Sequence, residues 1–348
     1  MQWLRLDQDD SLLSCDEAKR HLQRMPRRPL GLVAIFGAAR QGKSFLMNKL
    51  AGPRGCGFRV SNKQVRFAPH VEGRTSSPFR MENTARSIAL HKPHEMSLFV
   101  PLAQDPCTVG VDLAENTMAL RDFAAIESNG SVSVPRSNNM LVGFVDAEGQ
   151  GDRDAAYDAR IACPVLLAAQ SVLFNWRDSL QKDRILNLLG VMCRAARTVQ
   201  LDSHGGGGAG GAGERPPFGN LHIVFRDWNF DGDVESVRSQ LLDREPASGE
   251  DSERRNEVRR MLVSAFESID IWLLPPPVER TRDLNKVLKP EMLSAEFNEQ
   301  VASLRCTIAG QLIQPRAWAG RPITGPDLAR LIPLVADALN RDGMVLPR

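Results

Sequence analysis

The 348-residue sequence lacks most of the features that would tie a chain to a membrane, a zinc ion or a nucleic acid. Its six cysteines, at positions 15, 56, 107, 163, 193 and 306, include no Cys-x-x-Cys pair and no cysteine–histidine cluster at zinc-site spacing. Neither a zinc ribbon nor a redox dithiol is therefore written into it, and isolated cysteines of this kind read as reduced and mostly buried. No apolar run approaches the length a transmembrane helix needs. The opening MQWLRLDQDD carries acidic residues where a secretory leader needs a basic start and an apolar core, and the closing VLPR has no prenylation cysteine. Net charge is almost absent: 44 Lys and Arg against 42 Asp and Glu leave +2. That removes any global electrostatic case for nucleic acid or an anionic membrane. The basic runs Arg254-Arg255 and Arg259-Arg260 are short and read as a solvated helix face. No internal repeat is visible, and the expected compartment is the cytoplasm.

A hydrophobic content of 42% and a charged content of 25% are those of an ordinary globular protein. Apolar runs alternate with helical patterns, the signature of an α/β fold with a mostly parallel central sheet flanked by helices. The strand candidates are Leu30–Phe36, Met140–Val145, Leu173–Trp176, Leu221–Phe225 and Ile269–Leu274, the last stopped by Pro275-Pro276-Pro277. Helical patterns begin at Phe45 and cover Asp154–Gln170 and Leu328–Asn340. Two stretches do not read as core. Residues 204–214 hold the low-complexity run GGGGAGGAG, a flexible surface loop. Residues 74–139 mix Pro, Ser and Asn with isolated apolar pieces and read as an insertion between two sheet strands. The whole, 1–348, is expected to be one large domain.

Gly37-Ala38-Ala39-Arg40-Gln41-Gly42-Lys43-Ser44 fits the phosphate-loop pattern G-x-x-x-x-G-K-S/T at every fixed position, between a predicted strand and a predicted helix. Glycines let backbone N–H groups turn inward around phosphate oxygens, and the following helix N-terminus adds the positive end of its dipole. Lys43 places a cation on the β- and γ-phosphates, and Ser44 offers its hydroxyl to Mg²⁺; Phe45 follows at the helix start. Asp146-Ala147-Glu148-Gly149 closes the buried run MLVGFV. A carboxylate leaving a strand there can hold Mg²⁺ through water, and the glycine lets an N–H approach a γ-phosphate. Alone, Asp-x-x-Gly is weak, because such residues end strands everywhere.

With these motifs in place, the sequence resembles the guanylate-binding-protein family of large, dynamin-like GTPases. The phosphate loop runs on as SFLMNKLAG, and Asp146–Asp152 reads DAEGQGD, both similar to the family's versions. Arg226-Asp227 follows the run LHIVF, where the family carries an Arg-Asp pair whose Asp reads guanine. LRLDQDDSLLSCDEAKRHL resembles the family's entry strand and helix; PPVERTRDLNKV, LSAEFNEQVASL and ITGPDLARLIPLVADAL resemble its base-side loop and closing helices. The likeness spans nearly the whole chain apart from 74–139 and the glycine loop. It implies a P-loop G domain that binds GTP and GDP with Mg²⁺, hydrolyses GTP, and pairs with a second G domain.

The residues this implies for nucleotide contact are Gly37 to Phe45, Asp146, Gly149, Arg226 and Asp227, with Ser44 and Asp146 toward the metal. Lys43, Ser44, Arg40 and Glu148 are the implied catalytic set, Arg40 swinging onto phosphates when two G domains meet and Glu148 organising water. A carboxylate such as Asp227 suits guanine because N1–H and the exocyclic amine are both donors, a pair adenine does not present. The chain departs from the family at switch I, where Pro69-His70-Val71-Glu72-Gly73-Arg74 has valine in place of a Mg²⁺-binding threonine, with Thr75 and Ser76 nearby. The sequence stops soon after Leu328–Asn340, close to where the long helical region the family appends would begin, as expected of a short member or of an isolated domain. Three readings follow: a GTPase, a GTP-binding module with little turnover, and a P-loop ATPase in which Arg226-Asp227 is incidental.

Overall fold

A computed structural model of the chain describes residues 1–39, 41–52, 57–58, 110–126, 132–149, 155–177, 179–203, 216–246, 248–279, 290–318 and 320–341. Arg40, Val71, Thr75, Ser76 and the glycine loop lie outside the described residues, as does most of the base-side loop. The chain enters through a hairpin, β1 (Gln2–Leu6) and β2 (Leu12–Ser14), followed by α1 (Asp16–Arg24). β3 (Leu30–Gly37) leads into α2 (Lys43–Ala51); β4 (Val111–Leu113), β5 (Met118–Ala119) and α3 (Leu120–Ala125) come next. Then strands and helices alternate: β6 (Leu141–Ala147), α4 (Ala155–Ala168), β7 (Ser171–Arg177), α5 (Lys182–Ser203) and β8 (Phe218–Arg226). α6 (Val234–Leu242) and α7 (Glu250–Ala265) precede β9 (Phe266–Leu273), and α8 (Ala295–Leu312), a small hairpin of β10 (Ala317–Trp318) and β11 (Arg321–Pro322), and α9 (Gly325–Arg341) complete the fold.

The main sheet runs in the order β2-β1-β4-β6-β3-β7-β8-β9, with β5 added to β6. β6, β3, β7, β8 and β9 are mutually parallel, and β1, β2, β4 and β5 pair antiparallel on one side. All eight residues of β3 are buried, which is why its sequence is a continuous apolar run rather than an alternating one. Alternation survives in where the side chains go. Leu30, Leu32, Ala34 and Phe36 join the core shared with α1, α4, α5 and α9, whereas Val33 and Ile35 join the core under α2, α3 and α8. The α/β fold with a mostly parallel, helix-flanked sheet is thus as the sequence predicts.

Two expectations change. The stretch 74–139, read as an insertion, contributes to the body of the fold where it is described: β4 sits inside the sheet between β1 and β6, and Phe123 of α3 is fully buried. The arginine pairs of α7 are not one solvated face. Arg254 and Arg260 are exposed, but Arg259 is buried. Its guanidinium donates to Leu241 O (2.9 Å) and Gln240 O (3.3 Å) at the end of α6, to Asn256 Oδ1 and to Glu245 Oε1. Glu245 also holds Lys182 and Arg255, and those hydrogen bonds, from Arg259 first, then Lys182 and Arg255, lower its pKa to about 2.

Among the described residues, Arg259, Arg316 and Arg305 each close the C-terminus of a helix to which they do not belong. Arg316 donates to Ala169 O (2.7 Å) and Leu166 O (3.4 Å) at the end of α4, and to Pro217 O. Arg305 of α8, itself fully buried, donates to Lys49 O and Leu50 O of α2 and to Ile126 O after α3, each at 2.8 Å. The last carbonyls of a helix lack intrahelical partners and carry its negative dipole end, so a guanidinium satisfies both at once. α8 is tied to β8 and β9 as well. Buried His222 lies 2.9 Å from Gln311 Oε1 and accepts from Trp272 Nε1 (3.2 Å). Burial lowers its pKa to about 4, against the opposing effects of Asp270 and Gln311.

Candidate nucleotide-binding site

The parallel strands end together on one edge of the sheet, where Gly37 pairs with Asn175 and Arg177 with Arg226. That edge, beyond the strand carboxyl ends, is where open α/β sheets bind ligands. The loop between β3 and α2 turns on two glycines that no other residue could replace without strain. Gly37 has φ +135°, and a Cβ there would stand 2.0 Å from Asn175 O. Gly42 has φ +72°, and its Cβ would stand 2.6 Å from Arg226 Nη1. Both lie at positive φ, the region open to glycine, so the two glycines of the motif are required by backbone geometry and by crowding.

Lys43 folds its side chain back across the loop and donates from Nζ to Ala38 O at 3.2 Å. Ala38 is buried, and Phe45 is wholly in the core against Phe297, so its contribution to a ligand is limited to the backbone. Ser44 Oγ donates to Asp146 Oδ2, joining the first turn of α2 to the end of β6. Next on that strand's exit, Gly149 packs so closely on the loop that a Cβ would lie 2.2 Å from Ala39 Cα. Glu148 turns elsewhere: it accepts from Gly110 N–H at 2.7 Å and from the hydroxyl of Tyr157, the chain's only tyrosine. Its carboxylate thereby ties β6 to the start of β4 and to α4, and it is buried. Arg40 lies outside the described residues.

The other end of the edge is built by side chains. β8 closes on Arg226, which is 2% exposed. Its guanidinium donates from Nη1 to Gly42 O at 3.0 Å and lies over the Phe45 ring, 5.0 Å from the centroid. Of the residues expected to touch nucleotide, Arg226 is therefore the one turned beneath the phosphate loop. Burial pushes its pKa down from the ordinary value; Asp227 opposes that and Arg177 adds to it. Asp227, at φ +56°, adopts a left-handed conformation uncommon outside glycine. That turn carries its side chain away from the strand line. Asp227 Oδ2 receives Arg177 Nε at 2.7 Å, and Oδ1 is buried without a hydrogen-bond partner, Arg226 Nη2 being 3.5 Å away.

Three residues here, Asn175, Arg177 and Tyr157, carried no motif, and the first two are held by Gln41 of the phosphate loop. Gln41 grips the end of β7: Arg177 N donates to Gln41 Oε1 at 3.0 Å, Gln41 Nε2 reaches Arg177 O at 3.5 Å, and Asn175 Nδ2 donates to Gln41 O at 2.9 Å. Arg177 and Asn175 could have been flagged as the polar exit of a strand adjoining the phosphate loop. Tyr157 has no such signal.

The groups expected of such a site fit these residues. The glycine-built loop opens onto a helix N-terminus for phosphates. Ser44 and Asp146 bring a hydroxyl and a carboxylate together, hard oxygen donors of the kind Mg²⁺ takes. Asp227 supplies a carboxylate, the kind of acceptor the N–H edge of a base needs, although in this structure its Oδ1 is buried without a hydrogen-bond partner and its Oδ2 is held by Arg177. The fold and these motifs define a nucleotide-binding α/β domain of the P-loop class. The family model described as "Guanylate-binding protein, N-terminal domain" matches residues 9–312, and the chain belongs to that family of large GTPases. No curated protein sequence matched the chain. Among the described residues no helix is long and apolar enough to cross a membrane.

Proposed function

We propose that this chain binds GTP and GDP through the β3–α2 loop and Asp227 and hydrolyses GTP to GDP. The observation that carries the reading is the convergence, on one sheet edge, of a phosphate loop and a strand-terminal carboxylate joined by Arg226. Lys43 and the loop N–H groups hold the phosphates. Ser44 and Asp146 would hold Mg²⁺, which when bound neutralises phosphate charge. Asp227 accepts from the N1–H and amine of guanine. Glu148, engaged with Gly110 and Tyr157, acts as a positioning residue that fixes the exit of β6 rather than as a group facing water. Arg40 supports a further step, association of two GTP-loaded copies through this face. Arginines supplied to a transferring phosphoryl group are worth about 10³–10⁵ in rate.

Calorimetry with GTP, GDP and ATP analogues, followed by phosphate release, tests this. Guanine nucleotides are expected to bind well above ATP, and equal affinity for both bases would refute the reading. Light scattering that shows a monomer with GTP, GDP and a transition-state mimic alike would remove the pairing.

One specific residue favours a second reading, a GTP-binding module with slow turnover. Val71 offers no oxygen where relatives place a threonine, and Mg²⁺ needs near-complete oxygen coordination. Val71→Thr is then expected to raise the hydrolysis rate. Fast hydrolysis by the parent that collapses in Thr75→Ala would instead show that Thr75 fills the role.

A further inference from the structure

A carboxylate that reads guanine must present both oxygens to two donors on one edge of the base. In the structure neither oxygen of Asp227 is presented in that way. Oδ2 carries Arg177 Nε at 2.7 Å, and Oδ1 is buried. Arg177 is no incidental neighbour. Its backbone is clamped on both sides by Gln41 of the phosphate loop, so the side chain springs from a fixed base at the end of β7. Its side chain is 37% exposed and has room to leave, whereas Arg226, buried and bonded to Gly42 O, does not. The two arginines beside Asp227 thus have different duties: one is permanent, the other exchangeable.

We propose that Arg177 is a latch on Asp227 that guanine must displace, which makes it a specificity-setting positioning residue. This rests on the base-reading role proposed above for Asp227. The donors of guanine and the guanidinium of Arg177 compete for the same carboxylate. Adenine makes no such demand on Asp227, so Arg177 lowers guanine affinity selectively. Because Gln41 belongs to the phosphate loop, the latch is anchored to the part of the site that grips phosphates.

The test is calorimetry of the full chain with GDP and ADP, for the parent, Arg177→Ala, Arg177→Lys, Asp227→Asn and the Arg177→Ala/Asp227→Asn double variant. Arg177→Ala is expected to bind GDP about two- to fivefold more tightly, the range an ion pair with an exposed partner supports, and ADP as the parent does. Arg177→Lys keeps the ion pair and returns affinity toward the parent. The double variant shows no gain over Asp227→Asn alone. Weakened or unchanged GDP binding in Arg177→Ala, or an equal gain for ADP, overturns the latch. GDP affinity unaltered by Asp227→Asn sinks the base-reading role and the latch with it; an effect at Asp227 with none at Arg177 sinks the latch alone.

Discussion

On the function proposed above, the two ends of the edge would solve recognition by different means. At the phosphate end the cradle is built mainly by backbone, with Lys43 as its one cation among the described residues: glycines at positive φ, a helix N-terminus, and strand exits pressed against the loop with no room for a Cβ. At the proposed base end a single side chain would do it, that of Asp227, which is bent out of the strand and flanked by Arg177 and Arg226. Backbone recognition suits a group common to every nucleotide, and it can be abolished but hardly redirected. Side-chain recognition suits the part that differs between nucleotides, and one substitution can re-aim it.

The largest expected effect breaks the phosphate end. Lys43→Ala removes the cation of the loop and should weaken GTP and GDP at least about a hundredfold, near the upper range for a charged hydrogen-bond donor. Affinity within a few-fold of the parent's in that variant would show that the loop does not hold phosphates. Of similar size, but expressed in stability, is Arg305→Met. It leaves the end carbonyls of α2 without their guanidinium and is expected to cost about 2–4 kcal/mol, several buried hydrogen bonds being lost together. Urea denaturation reads this, and an unchanged midpoint would mean water serves those carbonyls as well.

Asp227→Asn sharpens the contrast because it should redirect rather than abolish. Xanthine carries an acceptor where guanine carries its amine, so an amide in place of the carboxylate should favour xanthosine diphosphate over GDP by about tenfold, or 1.4 kcal/mol. Preference for GDP left intact would place base reading elsewhere.

The smallest effect lies away from the edge. Glu245 has its folded pKa lowered from 4.5 to about 2, so its contribution to stability is complete above pH 4.5 and is lost as pH falls toward 2. His222, lowered from 6.5 to about 4, acts in the same direction: it is neutral in the fold, and stability declines from pH 6.5 downward toward 4 as the unfolded chain takes up the proton. Urea midpoints measured from pH 7 to 3 should fall in two stages, and Glu245→Gln should flatten only the lower one. A full lower stage in that variant would assign it to other carboxylates.

The phosphate end was also the more legible in sequence, for the same reason. Gly37 and Gly42 are imposed by φ and by close approach, and such needs leave a fixed spacing that can be read directly. The buried parallel strands were legible as apolar runs because both their faces are covered. β4 was not: three residues carry no periodicity, and that strand exists because β1 and β6 supply its partners. At the base end, the dipeptide Arg226-Asp227 marks the place but does not say that Arg226 turns inward under Gly42 while Asp227 turns toward Arg177. Arg177 meets Asp227 across two neighbouring strands, a relation that only the register of β7 on β8 creates. Glu148 sits in a motif, yet its partners Gly110 and Tyr157 come from other elements, so the motif alone could not name them.

Arg305 gives the nucleotide site a place in the order of synthesis. The helix that begins at the phosphate loop has its final carbonyls satisfied by a residue more than 250 positions later. While the ribosome is still short of that residue, the strand, loop and helix that cradle phosphate exist as chain, but their far end is open. A fragment ending before α8 would carry every motif of the site and keep the local cap that Gly52 N–H gives Asn48 O and Lys49 O, but it would leave the α2 terminus without its guanidinium. The motifs lie mostly in the first two thirds of the chain, yet the working site is completed by the last third.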